Sequence, residues 1–232
     1  MRHIGGLDMV DQGSTNFSLQ GPIVQPRFGG KPASVIIFCH GYGSNGADLI
    51  SMAPPLAEIL PKTIFLSPNA HQPCPTSTVG YQWFALTTLS RQERERGTYD
   101  AAPRLNHFID EVLAEFGLDE SRLALVGFSQ GAMMALHVGL RRKRQLAGIV
   151  CFSGALTAPE KLIEEIESRP PVLLSHGDRD EVIPFPAMSE AVGALEAAGL
   201  TVTKNLSRGI AHGIGPDGFQ MATAFLREVL GN

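Results

Sequence analysis

The sequence predicts an α/β protein with a mostly parallel central sheet and helices on both faces. Three observations carry this. Short apolar runs such as Val35–Cys39 ("VIIFC") are continuous, as strands covered on both faces are. Such runs alternate with segments of helical apolar spacing as far as the C-terminus. The chain of 232 residues is 44% hydrophobic and 18% charged, which is enough apolar material for a sizeable core. No internal repeat, low-complexity tract or linker interrupts the pattern. Residues 1–232 are therefore expected to form one domain.

The elements follow in order. Residues 1–30 are rich in Gly, Pro and polar side chains and read as an irregular N-terminal extension, with Thr15–Gln20 as a short edge strand. Val35–Cys39, bounded by Pro32 and Gly41, reads as a buried strand. Asn45–Leu60 is expected to be a helix, and "TIFLSPNA" from Thr63 a strand stopped by Pro68. Regularity fails over 68–98, where Pro73, Pro75, Ser77, Thr78 and Gly80 surround the aromatics Tyr81, Trp83 and Phe84. Structureless loops of this length are usually functional or disordered, and the aromatics argue for an ordered, substrate-site loop that could also serve as a lid or a homodimer contact.

Helical spacing returns over Tyr99–Phe116 (Leu105, Phe108, Ile109, Val112, Leu113), with Gly117 placed to cap it. Arg122–Gly127 is then a strand, Gln130–Leu140 a helix, Leu146–Gly154 a strand and Pro159–Glu167 a helix. Pro171–Gly177 is a strand, Pro186–Ala198 a helix, Thr201–Ser207 a more polar strand nearer an edge, and Phe219–Leu230 the last helix.

Composition narrows the function. A formal net charge of -4 favours neither nucleic acid nor an anionic membrane as partner. The basic run Arg141–Arg144 closes a helix, where cations complement the dipole. Three cysteines, Cys39, Cys74 and Cys151, do not make a disulfide framework and suit a reducing compartment. The N-terminus lacks the apolar core of a signal peptide, and no apolar run is long enough to span a bilayer. The expectation is a soluble, cytoplasmic protein without stable membrane insertion. "HQPC" at His71–Cys74 holds two ligand types but has no companion pair at metal spacing, so neither metal nor cofactor is expected.

Four stretches carry chemistry. "GFSQG" at Gly127–Gly131 fits G-x-S-x-G between a strand and a helix, where a sharp turn presents the serine hydroxyl at the sheet's edge. The alternative is an ordinary turn with Ser129 as a helix cap. A serine nucleophile needs a histidine base, and the base needs a carboxylate that fixes its tautomer. "SHGDRDEVIP" offers Asp178, Asp180 and Glu181 after a strand, with solvated or turn-bracing charge as the alternative. "SRGIAHGIG" offers His212 after the last strand, completing the order Ser, Asp, His. "FCHGYGSNGAD" lies after the first strong strand, where a loop can supply a backbone donor to an oxyanion. Such a donor is worth about 3–4 kcal/mol, and the residue after the nucleophile, Gln130, supplies a second. A phosphate loop is the weaker reading, because no Gly-Lys-Ser/Thr follows. His40 precedes the serine and is expected to be a hydrogen-bonding residue beneath the loop.

Together, "HGYGSNGADL", "SPNA", "WF" at Trp83–Phe84, "GFSQGAMMAL", "HGDRDEVIP" and "AHGI" resemble the α/β-hydrolase fold, and within it the phospholipase/carboxylesterase family of acyl-protein thioesterases and small carboxylesterases. The resemblance runs from about Val35 to the C-terminus. It implies Ser129 as nucleophile, Asp180 as acid, His212 as base, and Tyr42 as the early oxyanion donor beside Gln130. It further implies a small acyl ester, thioester or lysophospholipid substrate cleaved through an acyl-enzyme. Trp83, Phe84, Ile183 and Phe185 are candidates for the acyl-binding wall, with a plain core role as the alternative. The chain departs from the family at Tyr42, where leucine or phenylalanine is common, and at Ala85, where an acidic residue often follows Trp-Phe. A non-catalytic lipid- or partner-binding protein and an acyltransferase are the rival functions.

Overall fold

The computed structural model describes residues 10–11, 16–88 and 90–231. Its main sheet has eight strands, in the order β1 (Val10–Asp11), β2 (Ile23–Val24), β4 (Thr63–Leu66), β3 (Ser34–Cys39), β7 (Leu123–Phe128), β8 (Gly148–Phe152), β9 (Val172–Gly177) and β10 (Val202–Ser207). Pairing from β4 across to β10 is parallel, and β2 joins β4, and β1 joins β2, antiparallel. This is the expected α/β architecture, with the polar strand β10 at an edge.

Successive strand residues face opposite ways, so each apolar run feeds two cores. Val35, Ile37, Leu123, Leu125, Ile149, Cys151 and Leu174 pack on one face with α3 (Arg91–Phe116), α4 (Gln130–Leu140) and α6 (Pro186–Ala197). Ile36, Phe38, Ala124, Val126, Val150, Phe152 and Leu173 pack on the other. There they meet α1 (Gly46–Leu49), α2 (Ala53–Ile59) and α7 (Pro216–Leu230). Because β3, β7, β8, β9 and β10 run parallel, they all end on one edge of the sheet, and their following loops gather there.

Several expectations change. Residues 16–20 are not a strand, and Thr15 lies outside the described residues. The backbone pairing falls further along instead. Pro22 accepts the Ser67 N–H, Gln20 accepts the Asn69 N–H, and β2 follows. The single helix over Asn45–Leu60 is α1 and α2, joined by a 3₁₀ turn at Ile50–Met52, with the Asn45 side chain capping α1. Helix α3 begins at Arg91 rather than Tyr99, so the irregular segment after Pro68 is shorter than expected. That segment also holds a small hairpin, β5 (Gln72–Pro73) with β6 (Tyr81–Gln82). The helix over Pro159–Glu167 is a 3₁₀ turn at Pro159–Lys161 followed by α5 (Leu162–Glu165).

The basic run lies just past α4 rather than in its last turn. Arg141 donates to the His137 carbonyl and pairs with Glu165, while Arg142 pairs with Asp110 and Glu120. Gly117 ends α3 in the left-handed region at φ 61°, as expected. No helix among the described residues is long and apolar enough to cross a membrane.

Candidate active site

Ser129 stands between β7 and α4 at φ 53°, ψ −116°, a conformation that non-glycine residues rarely adopt. Its side chain makes no capping bond to α4, so the helix-cap reading does not describe it. Neighbouring backbone holds the strained turn, with the Ser129 N–H bonded to the Phe152 carbonyl at 2.9 Å. The flanking glycines are steric requirements. A Cβ on Gly131 would lie 1.9 Å from the Cys39 carbonyl oxygen, and one on Gly127 would lie 2.4 Å from the Gly131 oxygen. Only at glycine can α4 start this close to β3.

The loops after β9 and β10 bring two side chains to Ser129. His212 Nε2 is 3.0 Å from Ser129 Oγ, and His212 Nδ1 is 2.8 Å from Asp180 Oδ2. A carboxylate only accepts, so Nδ1 carries the proton and the bare Nε2 can accept from the serine hydroxyl. Asp180 Oδ1 accepts the N–H groups of Val182 (2.9 Å) and Ile183 (2.8 Å). Burial alone would raise the Asp180 pKa. The His212 and Ile183 hydrogen bonds, the His212 charge and the Val182 N–H outweigh it and hold the carboxyl below its ordinary value. The other acids in the loop do different things. Asp178 Oδ1 accepts the Gly209 N–H, and Glu181 is exposed.

The loop after β3 lies against the elbow. A Cβ on Gly41 would be 3.4 Å from Ser129 Cβ, so the next residue, Tyr42, follows a backbone already in contact with the serine. The Tyr42 hydroxyl hydrogen-bonds the Cys74 thiol, which, with some burial, raises its pKa. His40 sits beneath this loop with its ring fully enclosed. It accepts the Ala70 N–H at Nε2 (2.9 Å), so Nδ1 donates to the Gly41 carbonyl (2.8 Å). Burial lowers its pKa. Gln130 begins α4, where the helix geometry leaves its N–H without an intrahelical acceptor. Its side chain clamps the preceding loop: Oε1 accepts the Trp83 N–H at 2.8 Å and Nε2 donates to the Phe84 carbonyl at 2.7 Å.

The four aromatic and apolar candidates are placed unequally. Trp83 has no exposed surface, and its Nε1 donates to the His40 carbonyl at 3.0 Å. Phe84 and Ile183 are each 4% exposed and belong to the core. Phe185 is half-buried and lines a groove of about 610 Å³ between α6 and β10. Half-buried Phe128 lies against the His212 ring, with centroids 5.0 Å apart, a contact the sequence did not single out. Among the described residues no three His, Cys, Asp or Glu side chains gather as a metal site.

Known proteins resemble this chain in sequence, and a solved one in fold. The acyl-protein thioesterase 1 of Schizosaccharomyces pombe is 30% identical over 211 residues, covering 86% of this chain and 92% of that protein. Esterase YpfH of Escherichia coli is 27% identical over 202 residues, covering 86% and 85%. The solved esterase PE8 superposes with a TM-score of 0.89 at 42% identity, covering 91% of this chain and 99% of that one. The phospholipase/carboxylesterase family model matches residues 22–230, nearly the whole described chain. The chain belongs to the phospholipase/carboxylesterase family.

Proposed function

We propose that the protein is a serine hydrolase that cleaves carboxylic esters, and thioesters of the same acyl groups, through an acyl-enzyme. The observation that carries this reading is His212 bridging Ser129 and Asp180 at 3.0 and 2.8 Å. Ser129 Oγ attacks the acyl carbonyl as its proton passes to His212 Nε2. Asp180 keeps His212 in the tautomer that can accept it and offsets the charge that results. The backbone N–H groups of Tyr42 and Gln130 receive the oxyanion, the second aided by the positive end of the α4 dipole. His212 then protonates the leaving alcohol or thiol. Water enters by the same base-assisted attack and releases the acid.

The acyl-facing wall is assigned to Tyr42 and Phe128, which keep exposed surface, whereas Phe185 lines the separate groove between α6 and β10. Trp83, Phe84 and Ile183 back that wall from the core. The three cysteines are free and buried, which suits a reducing cytoplasm.

The test is Ser129→Ala assayed on p-nitrophenyl butyrate and on a matching thioester, with circular dichroism to verify folding. Hydrolysis should fall at least about 1,000-fold, in line with the loss of a triad nucleophile. Covalent labelling by a fluorophosphonate should disappear with it. A folded Ser129→Ala protein that keeps its activity would overturn the reading. Failure of the unmodified protein to label would favour a non-catalytic binding role.

A further inference from the structure

We infer that His176 is a positioning residue that holds Asp180 for its work on His212, an inference that rests on the triad reading above. His176 lies at the end of β9, four residues before Asp180, and is 2% exposed. Its Nε2 is 2.7 Å from the Ile183 carbonyl oxygen. A carbonyl oxygen only accepts, so Nε2 carries a proton. The same nitrogen is 3.3 Å from Asp180 Oδ2. That oxygen is the one that faces His212 Nδ1 at 2.8 Å.

The arrangement fixes the carboxylate from every side. Oδ1 receives the Val182 and Ile183 N–H groups. Oδ2 receives His212 Nδ1–H and lies 3.3 Å from His176 Nε2, whose own N–H goes to the Ile183 carbonyl. The His176 ring also ties the rigid end of β9 to Ile183, the far end of the turn that carries Asp180. Rotation of the Asp180 side chain about its Cα–Cβ bond would break contacts to both ends of that turn at once. A histidine serving only to fill space among Leu136, Cys151, Leu174 and Met188 would have no reason to give its N–H to the far end of the turn while standing 3.3 Å from a carboxylate whose side chain is itself fully enclosed. A misplacement of about 1 Å at the acid is transmitted to the base, which is where rate is lost.

The experiment compares His176→Asn, His176→Leu and His176→Gln, each alone and combined with Asp180→Asn. The glutamine amide nitrogen reaches the place of Nε2, whereas asparagine falls short of it and leucine has no donor. The readouts are kcat and KM on p-nitrophenyl butyrate and the rate of fluorophosphonate labelling. With Asp180 present, the Asn and Leu variants should lose roughly 10- to 100-fold in kcat with KM little changed, and Gln should recover most of it. In the Asp180→Asn background the same substitutions should cost less than about two-fold, because the residue acts through the acid. Wild-type rates in a folded Asn or Leu variant would overturn the inference. So would a Gln variant as slow as Asn, or an undiminished loss in the Asp180→Asn background. Failure of both the Asn and Leu variants to fold would assign His176 to the fold alone. An active Ser129→Ala protein would overturn the triad reading and this inference with it, whereas wild-type rates in the His176 variants beside an inactive Ser129→Ala would overturn this inference alone.

Discussion

Asp178 directs its Oδ1 to the Gly209 N–H at 2.6 Å, tying the loop after β9 to the turn after β10. Its neighbour two residues on faces the other way, toward His212. Asp178 therefore braces the two loops while Asp180 addresses His212. Asp180→Asn should lower kcat by about 10³- to 10⁴-fold, because an amide can hold His212 in the wrong tautomer. Asp178→Asn should change kcat less than about ten-fold and lower stability by roughly 1–2 kcal/mol. Steady-state kinetics with thermal melts of both variants separate the roles, and a crippled Asp178→Asn enzyme would reverse them.

Two helical glycines give opposite expectations. A Cβ at Gly131 would stand 1.9 Å from the Cys39 carbonyl oxygen, so backbone must move to admit it. Gly131→Ala should cost about 3 kcal/mol or more, lower Tm by roughly 6–12 °C and depress activity, since the moved segment carries Ser129. Gly193, inside α6, has open space for 4 Å around the position a methyl group would take. Gly193→Ala should raise stability by about 0.5–1 kcal/mol through helix propensity alone. Calorimetric melts of both proteins check the pair of signs.

Acid should destabilise the fold through His137. This residue of α4 is 3% exposed, and burial, with the nearby Arg141 charge, lowers its pKa from 6.5 to about 3, against the opposing pull of Glu165. In the unfolded chain the ring takes up a proton as pH falls through 6.5, whereas the folded chain resists until about 3. The unfolded state therefore binds more protons across that window, and stability falls as pH falls. Between pH 7 and 4.5 this one group should remove about 2–3 kcal/mol. His137→Gln should lose correspondingly less over the same interval in urea titrations. An acid loss equal to that of the unsubstituted protein would refute the assignment.

The sequence makes the sheet legible because parallel strands buried on both faces must be apolar throughout, and runs such as Val35–Cys39 and Val172–Leu174 are. The order Ser129, Asp180, His212 is legible for a related reason. Each follows its own strand, and parallel strands finish on the same edge, which brings together residues 83 and 32 positions apart. The start of α3 is harder to see. Arg91–Gly97 has no apolar stripe, and Gly97 reads as a loop residue until the structure shows the Phe84 ring occupying the space of its missing Cβ. A signal exists at Ser90 and Glu93, the spacing of a helix cap, and Ser90 Oγ does accept the Glu93 N–H. The choice among Asp178, Asp180 and Glu181 cannot be read from spacing, because all three share one loop and differ only in where their carboxylates point. His176 is hidden for the opposite reason, sitting at the end of an apolar run where a buried ring looks like filling.

Trp83 is the chain's one tryptophan, and it is wholly enclosed, with its backbone N–H held by the Gln130 side chain and its indole by the His40 carbonyl. Its fluorescence therefore reports on a single spot, the junction between the hairpin loop and the start of α4. Emission from the native protein should be blue-shifted, and any red shift that precedes loss of helical signal marks that junction opening by itself. Gln130, which grips this residue, follows Ser129 directly in the chain. The molecule thus carries its own optical probe beside the proposed nucleophile, and no label has to be introduced to watch the elbow's support come and go.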